Sequence, residues 1–115
     1  MANNIDLTYL QEISGGDTSF IKEMLELYIN TTAQEVALFK NLIQNQDYEG
    51  INHLAHKMKA PIQMLGANEL FNLVRTVEIN SKKGIELNLL PEQISKIEQL
   101  VTDSIDEIQA ILKTL

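Results

Sequence analysis

The 115-residue chain contains no cysteine and no tryptophan, and only two prolines and five glycines. Without cysteine it can build no disulfide framework, thiolate nucleophile or zinc knuckle. So little proline and glycine, beside 44% hydrophobic and 22% charged residues, excludes collagen, a linker and a disordered tail. Cations are scarce too. Nine Lys and Arg stand against sixteen Asp and Glu, and the net charge of −7 repels nucleic-acid backbones and anionic lipid. No apolar run approaches the length that spans a bilayer, so direct membrane insertion is not expected. The start, Met-Ala-Asn-Asn-Ile-Asp, lacks the basic and then apolar run of a signal peptide, so the expected setting is the cytoplasm. The length suits one domain, over residues 1–115.

What the chain does have is helical periodicity. Apolar residues recur at steps of three and four, while strict two-residue alternation is missing. Ile5 to Ile13 reads as a short amphipathic helix closed by Gly15-Gly16. Asp17 is an N-cap for a long second helix, run to about residue 45 through the polar Asn30-Thr31-Thr32 step. Asp47 caps a third, whose Ile51, Leu54, Ala55, Met58, Ile62 and Leu65 share a face, and Gly66 ends it. A fourth opens near Asn68, buries Leu70, Phe71, Val74 and Val77, and stops at Ser81-Lys82-Lys83-Gly84. After a loop of about seven residues, Pro91 enters the first turn of a last helix with Ile94, Ile97, Leu100, Val101, Ile105, Ile108 and Leu112 inward. The expected fold is all-α, an antiparallel up-down four-helix bundle with a short extra N-terminal helix.

The third helix is most informative on the side that does not pack. At 100° per residue its apolar positions fall within roughly 60° of Ile51, whereas His56 lies about 140° away, with Glu49, His53, Ala60 and Gln63 around it. His56 should therefore face solvent. Ala60, one turn on, is small where a solvated face would carry a long polar side chain, and Met64 is apolar on the same outward half. Lys57 and Lys59 flank the histidine and would put two cations near an anion at its ring. Together these make a surface where another protein could bring a phosphate close. Imidazole suits that task, because its ordinary pKa near 6.5 leaves most of it neutral at pH 7 with a lone pair free to attack phosphorus. No glycine-rich phosphate loop or pair of metal-binding carboxylates accompanies it, so a partner must bring the rest.

The run Ala55-His56-Lys57-Met58-Lys59-Ala60, followed by Leu65-Gly66-Ala67 and Leu70, resembles the histidine-containing phosphotransfer (HPt) domains of two-component phosphorelays. In that family an alanine-histidine pair, an apolar residue and a lysine precede a small residue, with a leucine-glycine turn nine residues after the histidine. Similarity extends to Ile5-Asp6-Leu7, Tyr9-Leu10, Gly15-Gly16-Asp17 and Leu25 through Ile29, and covers most of residues 5–80. The resemblance implies a four-helix bundle whose His56 accepts a phosphoryl group from a receiver-domain aspartate and passes it to another. It also implies that Lys59 offsets phosphate charge, that Gln63 can hydrogen-bond to the site, and that Lys57, Ala60 and Met64 meet the partner. The expected partners are response-regulator receiver domains or a hybrid sensor histidine kinase. The chain would need no cofactor of its own, Mg²⁺ coming with the receiver, and would have no autonomous kinase activity.

Two positions depart from the family. Ala60 stands where glycine is usual, and Pro61 where a small residue is. A proline inside a helix frees one carbonyl, here that of Lys57, and costs about 3 kcal/mol unless the helix kinks or the oxygen is satisfied. Because Ile62 and Leu65 stay in phase with the core stripe, a kinked helix continuing to Leu65 is expected. Two other readings compete: a non-catalytic helical adaptor that docks through Ala60 and Met64, and a metal site of Glu49, His53 and His56. His53 is also expected on the surface, but it lacks the preceding alanine and the lysine three residues on, so it is assigned no phosphoryl role.

Overall fold

The computed structural model describes residues 5–115; residues 1–4, which open the start segment considered above, lie outside the described residues. Five α-helices follow in order: α1 Thr8–Ser14, α2 Thr18–Gln44, α3 Tyr48–Met64, α4 Asn68–Lys83 and α5 Leu90–Leu112. One 3₁₀ turn, Leu87–Leu89, leads into α5. Packing runs around a ring, α2 on α3, α3 on α4, α4 on α5 and α5 back on α2, with α1 laid against α2. The short connections reverse the chain between neighbours, which gives the antiparallel four-helix bundle plus extra N-terminal helix. At 1.5 Å per residue the 27 residues of α2 reach about 40 Å, so this single helix spans the 42 Å long axis of the molecule.

The helix ends follow local chemistry. Asp17 accepts from the backbone N–H groups of Ser19 and Phe20, and Asp47 from that of Gly50, satisfying donors that have no partner inside the helix. The first helix starts three residues later than its periodicity suggests. Asp6 Oδ1 accepts from Thr8 N at 3.0 Å and from Thr8 Oγ1 at 2.6 Å, while Asp6 N donates to the Leu65 carbonyl at 2.7 Å. Ile5 to Leu7 are thereby tied to the end of α3 instead of entering α1. Gly66 makes this possible, since its φ is +65° and a β-carbon there would stand 2.5 Å from the Asp6 carbonyl oxygen. The last helix likewise begins at Leu90, one residue before Pro91, which falls in its first turn as expected.

The third helix continues through Pro61 to Met64, with Leu65 as its C-cap. Met58 before the proline and Ile62 and Leu65 after it are all buried, so core packing on either side of the proline holds the last turn in register. His56 consequently lies two turns from the C-terminal end, beyond the reach of its partial negative charge. The core draws on all four long helices: Leu25 and Phe39 from α2, Ile51 and Met58 from α3, Val74 and Val77 from α4, Ile97 and Ile108 from α5. Within it Tyr28 and Ser104 share a 2.9 Å hydrogen bond between α2 and α5, and Ser104 Oγ also donates to the Val101 carbonyl. Burial outweighs the Ser104 contact and pushes the Tyr28 hydroxyl pKa above its ordinary value, so Tyr28 stays neutral.

Thr32, in the polar step of α2, is fully buried and its hydroxyl has no hydrogen-bond partner among the described residues. Thr32→Val keeps the branched shape and removes the unsatisfied group, so it should stabilise the fold by about 1 kcal/mol, read as a higher denaturant midpoint at unchanged slope. Gly66→Ala should cost about 1–3 kcal/mol through backbone strain and the clash with Asp6. Equal midpoints for Gly66→Ala and wild type would show that the N-terminal tie does not depend on this glycine.

Candidate functional site

His56 sits at the middle of α3, on the face opposite Ile51, Leu54, Met58 and Ile62, and its side chain is 71% exposed. Its ring is nevertheless held. Nδ1 lies 2.6 Å from Oε2 of Glu78 on α4, and Glu78 Oε1 accepts from Lys59 Nζ at 2.7 Å. One carboxylate, only 14% exposed, thus ties together two residues of α3 spaced three apart.

The bundle's packing delivers that carboxylate. Leu70, Val74 and Val77 bury the inner stripe of α4, which leaves Glu78 at the stripe's edge beside α3. The backbone there is pinned to α3. Asn52 Nδ2 donates across to the Glu78 carbonyl at 2.8 Å, while within α4 itself the buried Ser81 hydroxyl reaches the Val77 and Glu78 carbonyls at 2.7 and 3.1 Å.

Burial alone would raise the Glu78 pKa, but the hydrogen bonds and positive charge of Lys59 and His56 prevail and hold it below its ordinary value of 4.5. Glu78 is therefore an ionised, acceptor-only carboxylate at neutral pH. The proton in the 2.6 Å contact is accordingly assigned to Nδ1 of His56. In the neutral ring this leaves the lone pair on Nε2, on the ring edge turned away from Glu78. A nucleophilic nitrogen at a surface, oriented from behind, is what the arrangement provides. Because the folded-state pKa of Glu78 is depressed, the pairing contributes above the ordinary carboxylate range and is lost as pH falls through the lowered value.

Other expected site residues fall in different places. Lys59 is beside the ring but already paired with Glu78. Lys57 does not turn toward His56: its Nζ lies 3.3 Å from Glu35 on α2, on the other flank of α3. Ala60 is exposed and leaves the space one turn along the helix open. Met64 is half-buried against the core, on an apolar cleft it shares with Leu10, Met24, Leu27, Tyr28 and Pro61, instead of standing free. Gln63 makes no hydrogen bond to the histidine. It is exposed beside Tyr9, two turns farther along α3, and the acceptor at His56 is Glu78 in its place. The metal reading fails on geometry, since His53 Nε2 lies 3.8 Å from Glu49 while the His56 ring is drawn to α4. Among the described residues no three His, Cys, Asp or Glu side chains are placed to hold a metal ion.

Sequence reasoning also missed the charge that α4 contributes. Lys59, Arg75, Lys82 and Lys83 line a groove with His53 and His56, and Glu78 is its one carboxylate. The available signal was the position of Glu78 one residue after a core valine and four after another, at the border of the buried stripe. Nothing in the spacing says which neighbouring helix that border meets. Among the described residues no helix is long and apolar enough to cross a membrane.

No curated protein matches the chain in sequence. In structure it is similar to histidine-containing phosphotransfer protein B (HptB) from Pseudomonas aeruginosa PAO1, with a TM-score of 0.89 and 17% identity over 100% of this chain and 99% of that one. At that identity the likeness is one of fold. The Hpt domain family model matches residues 23–111, a span that takes in α3, α4 and the exposed histidine between them and the solvent. With most of its length matched in sequence and its helices arranged in the same bundle, the chain belongs to the Hpt domain family, the histidine phosphotransfer domains of two-component phosphorelays.

Proposed function

We propose that His56 is the residue that carries the phosphoryl group, taking it from a receiver-domain aspartate and giving it to another. The observation that carries this reading is an exposed imidazole whose Nδ1 is held at 2.6 Å by a carboxylate, which turns Nε2 outward. In the forward step the Nε2 lone pair attacks phosphorus, the bond to the aspartyl oxygen breaks, and its electron pair returns to the partner's carboxylate. The return step is the reverse. His53, tethered loosely to Glu49 on the same helix, has no such support and takes no part.

Lys59 would offset charge on the phosphoryl group. Its ammonium is 2.7 Å from Glu78, the same carboxylate that holds the ring. Ala60 leaves room for the docking partner, and Lys57 and Met64 border the cleft that continues the docking face toward α2. Response-regulator receivers or a hybrid sensor kinase are the partners this reading calls for, in the cytoplasm. Mg²⁺ and most of the stabilisation of the transferring group would come with the receiver, and no kinase activity of the chain's own is expected. Gln63 is given no role.

His56→Gln should abolish acceptance of phosphoryl from a phosphorylated receiver, whereas His53→Gln should leave it within about twofold of wild type. The label should be acid-labile and base-stable. Equal loss in the two variants would overturn the choice of histidine, and a folded wild type that binds receivers but never takes label would leave the docking adaptor as the reading. Lys59→Ala should slow transfer about tenfold, equivalent to about 1.4 kcal/mol, with an unchanged helical signal. An unaltered rate would remove its electrostatic role.

A further inference from the structure

The contact between His56 and Glu78 bears on the phosphorylated state as well as on the free one. When Nε2 forms its bond to phosphorus, the ring becomes a cation that still carries the Nδ1 proton. The fate of that proton decides how the phosphoryl group can leave. If it stays, the electron pair of the breaking N–P bond returns to Nε2 and the departing ring is neutral imidazole. If it is lost to solvent, the same bond cleavage must expel an imidazolate anion, a far poorer leaving group. Retention needs no further reactant, since the proton on Nδ1 before attack is the one there after departure.

Most of the surroundings oppose retention. Facing His56 on α3 are His53 and Lys59, and from α4 come Arg75, Lys82 and Lys83, all of which when protonated disfavour a second cation. On the α2 side, Lys57 is engaged by Glu35 at 3.3 Å. Against these, Glu78 is, among the described residues, the one anion in contact with the ring, at 2.6 Å, largely shielded from solvent and fixed through its own backbone by Asn52. If Lys59 swings toward the incoming phosphoryl group, Glu78 loses its other partner and its charge is left to the imidazolium alone.

Given His56 as the acceptor, we infer that Glu78 is a positioning residue that keeps the Nδ1 proton on the phosphorylated ring, so that phosphoryl leaves from neutral imidazole. The role extends beyond orientation of the free histidine, because it governs the lifetime and reactivity of the intermediate.

Phosphoramidate, a small-molecule donor that needs no partner protein, serves as the phosphorylating probe on the full chain and on Glu78→Gln. The glutamine oxygen can still accept from Nδ1–H, so geometry is conserved while the charge is lost. The ³¹P resonance of the phosphohistidine, followed against pH, reads ring protonation directly. The transition in Glu78→Gln should lie about one unit below that of wild type, and loss of phosphoryl at mildly alkaline pH should be slower by up to about tenfold. Coincident transitions and equal loss rates would overturn the inference. Should the variant fail to fold, the labelled wild-type chain unfolded in urea supplies the reference. A folded-state transition no higher than that of the unfolded chain would count against Glu78 equally. Failure to label His56 at all, with wild type folded, would instead sink its assignment as acceptor, a result distinct from labelling with unshifted titration.

Discussion

The site depends on the register between α3 and α4, and one hydrogen bond reports that register directly. Asn52 on α3 donates to the backbone carbonyl of Glu78 at 2.8 Å. A carbonyl inside a helix already accepts from the residue four positions on, so using its second lone pair for a neighbouring helix ties backbone to side chain where a slip would be noticed. From that anchored residue the carboxylate meets His56 one turn and Lys59 two turns beyond Asn52 along α3. A shift of α4 by one residue would rotate Glu78 by about 100° and break all three contacts together.

Electrostatics divide the surface in the same place. The chain carries a net charge of −7, yet five of its nine cations, Lys57, Lys59, Arg75, Lys82 and Lys83, lie on α3 and α4. Two of the five are held by partly buried carboxylates, Glu35 and Glu78, at 3.3 and 2.7 Å. Lysines so restrained contribute position more than bulk field, whereas Arg75, Lys82 and Lys83 give the groove its positive character. A phosphoryl carrier gains from this arrangement, which is favourable enough to accept an anion but holds few fixed donors that would trap it. The remaining chemistry belongs to whatever docks, which is consistent with a domain of this size devoting nearly all its interior to packing.

Much of the fold was legible because its signals are local. Asp17 and Asp47 cap the helices their positions announce, Gly66 and Gly84 take left-handed conformations where helices end, and the inward residues of α5 follow their spacing. Pro61 posed a conflict between local cost and long-range packing, and packing prevailed: Met58 before it and Ile62 and Leu65 after it are buried. The start of α1 went the other way. Ile5 and Leu7 fit a helical pattern, but Asp6 bonds across to Leu65, a partner some sixty residues away that periodicity cannot reveal. The same kind of distance hid Glu78, while Gln63, close in sequence and on the right side of the wheel, turned out to stand beside Tyr9.

The amino-acid sequence by itself determined that this chain forms amphipathic helices, where they begin and end to within a few residues, and that His56 faces outward from its own helix. Those properties follow from backbone hydrogen bonding and 3.6-residue periodicity, which act within a few turns of chain. Tertiary structure alone decided what stands behind the imidazole. Only packing of α4 against α3 brings a carboxylate 22 positions away to Nδ1, turns Nε2 to the solvent and draws Lys57 aside to α2. A single helix specifies which way a side chain points, but the charge it meets there belongs to another helix, and the core side chains between the two set the distance.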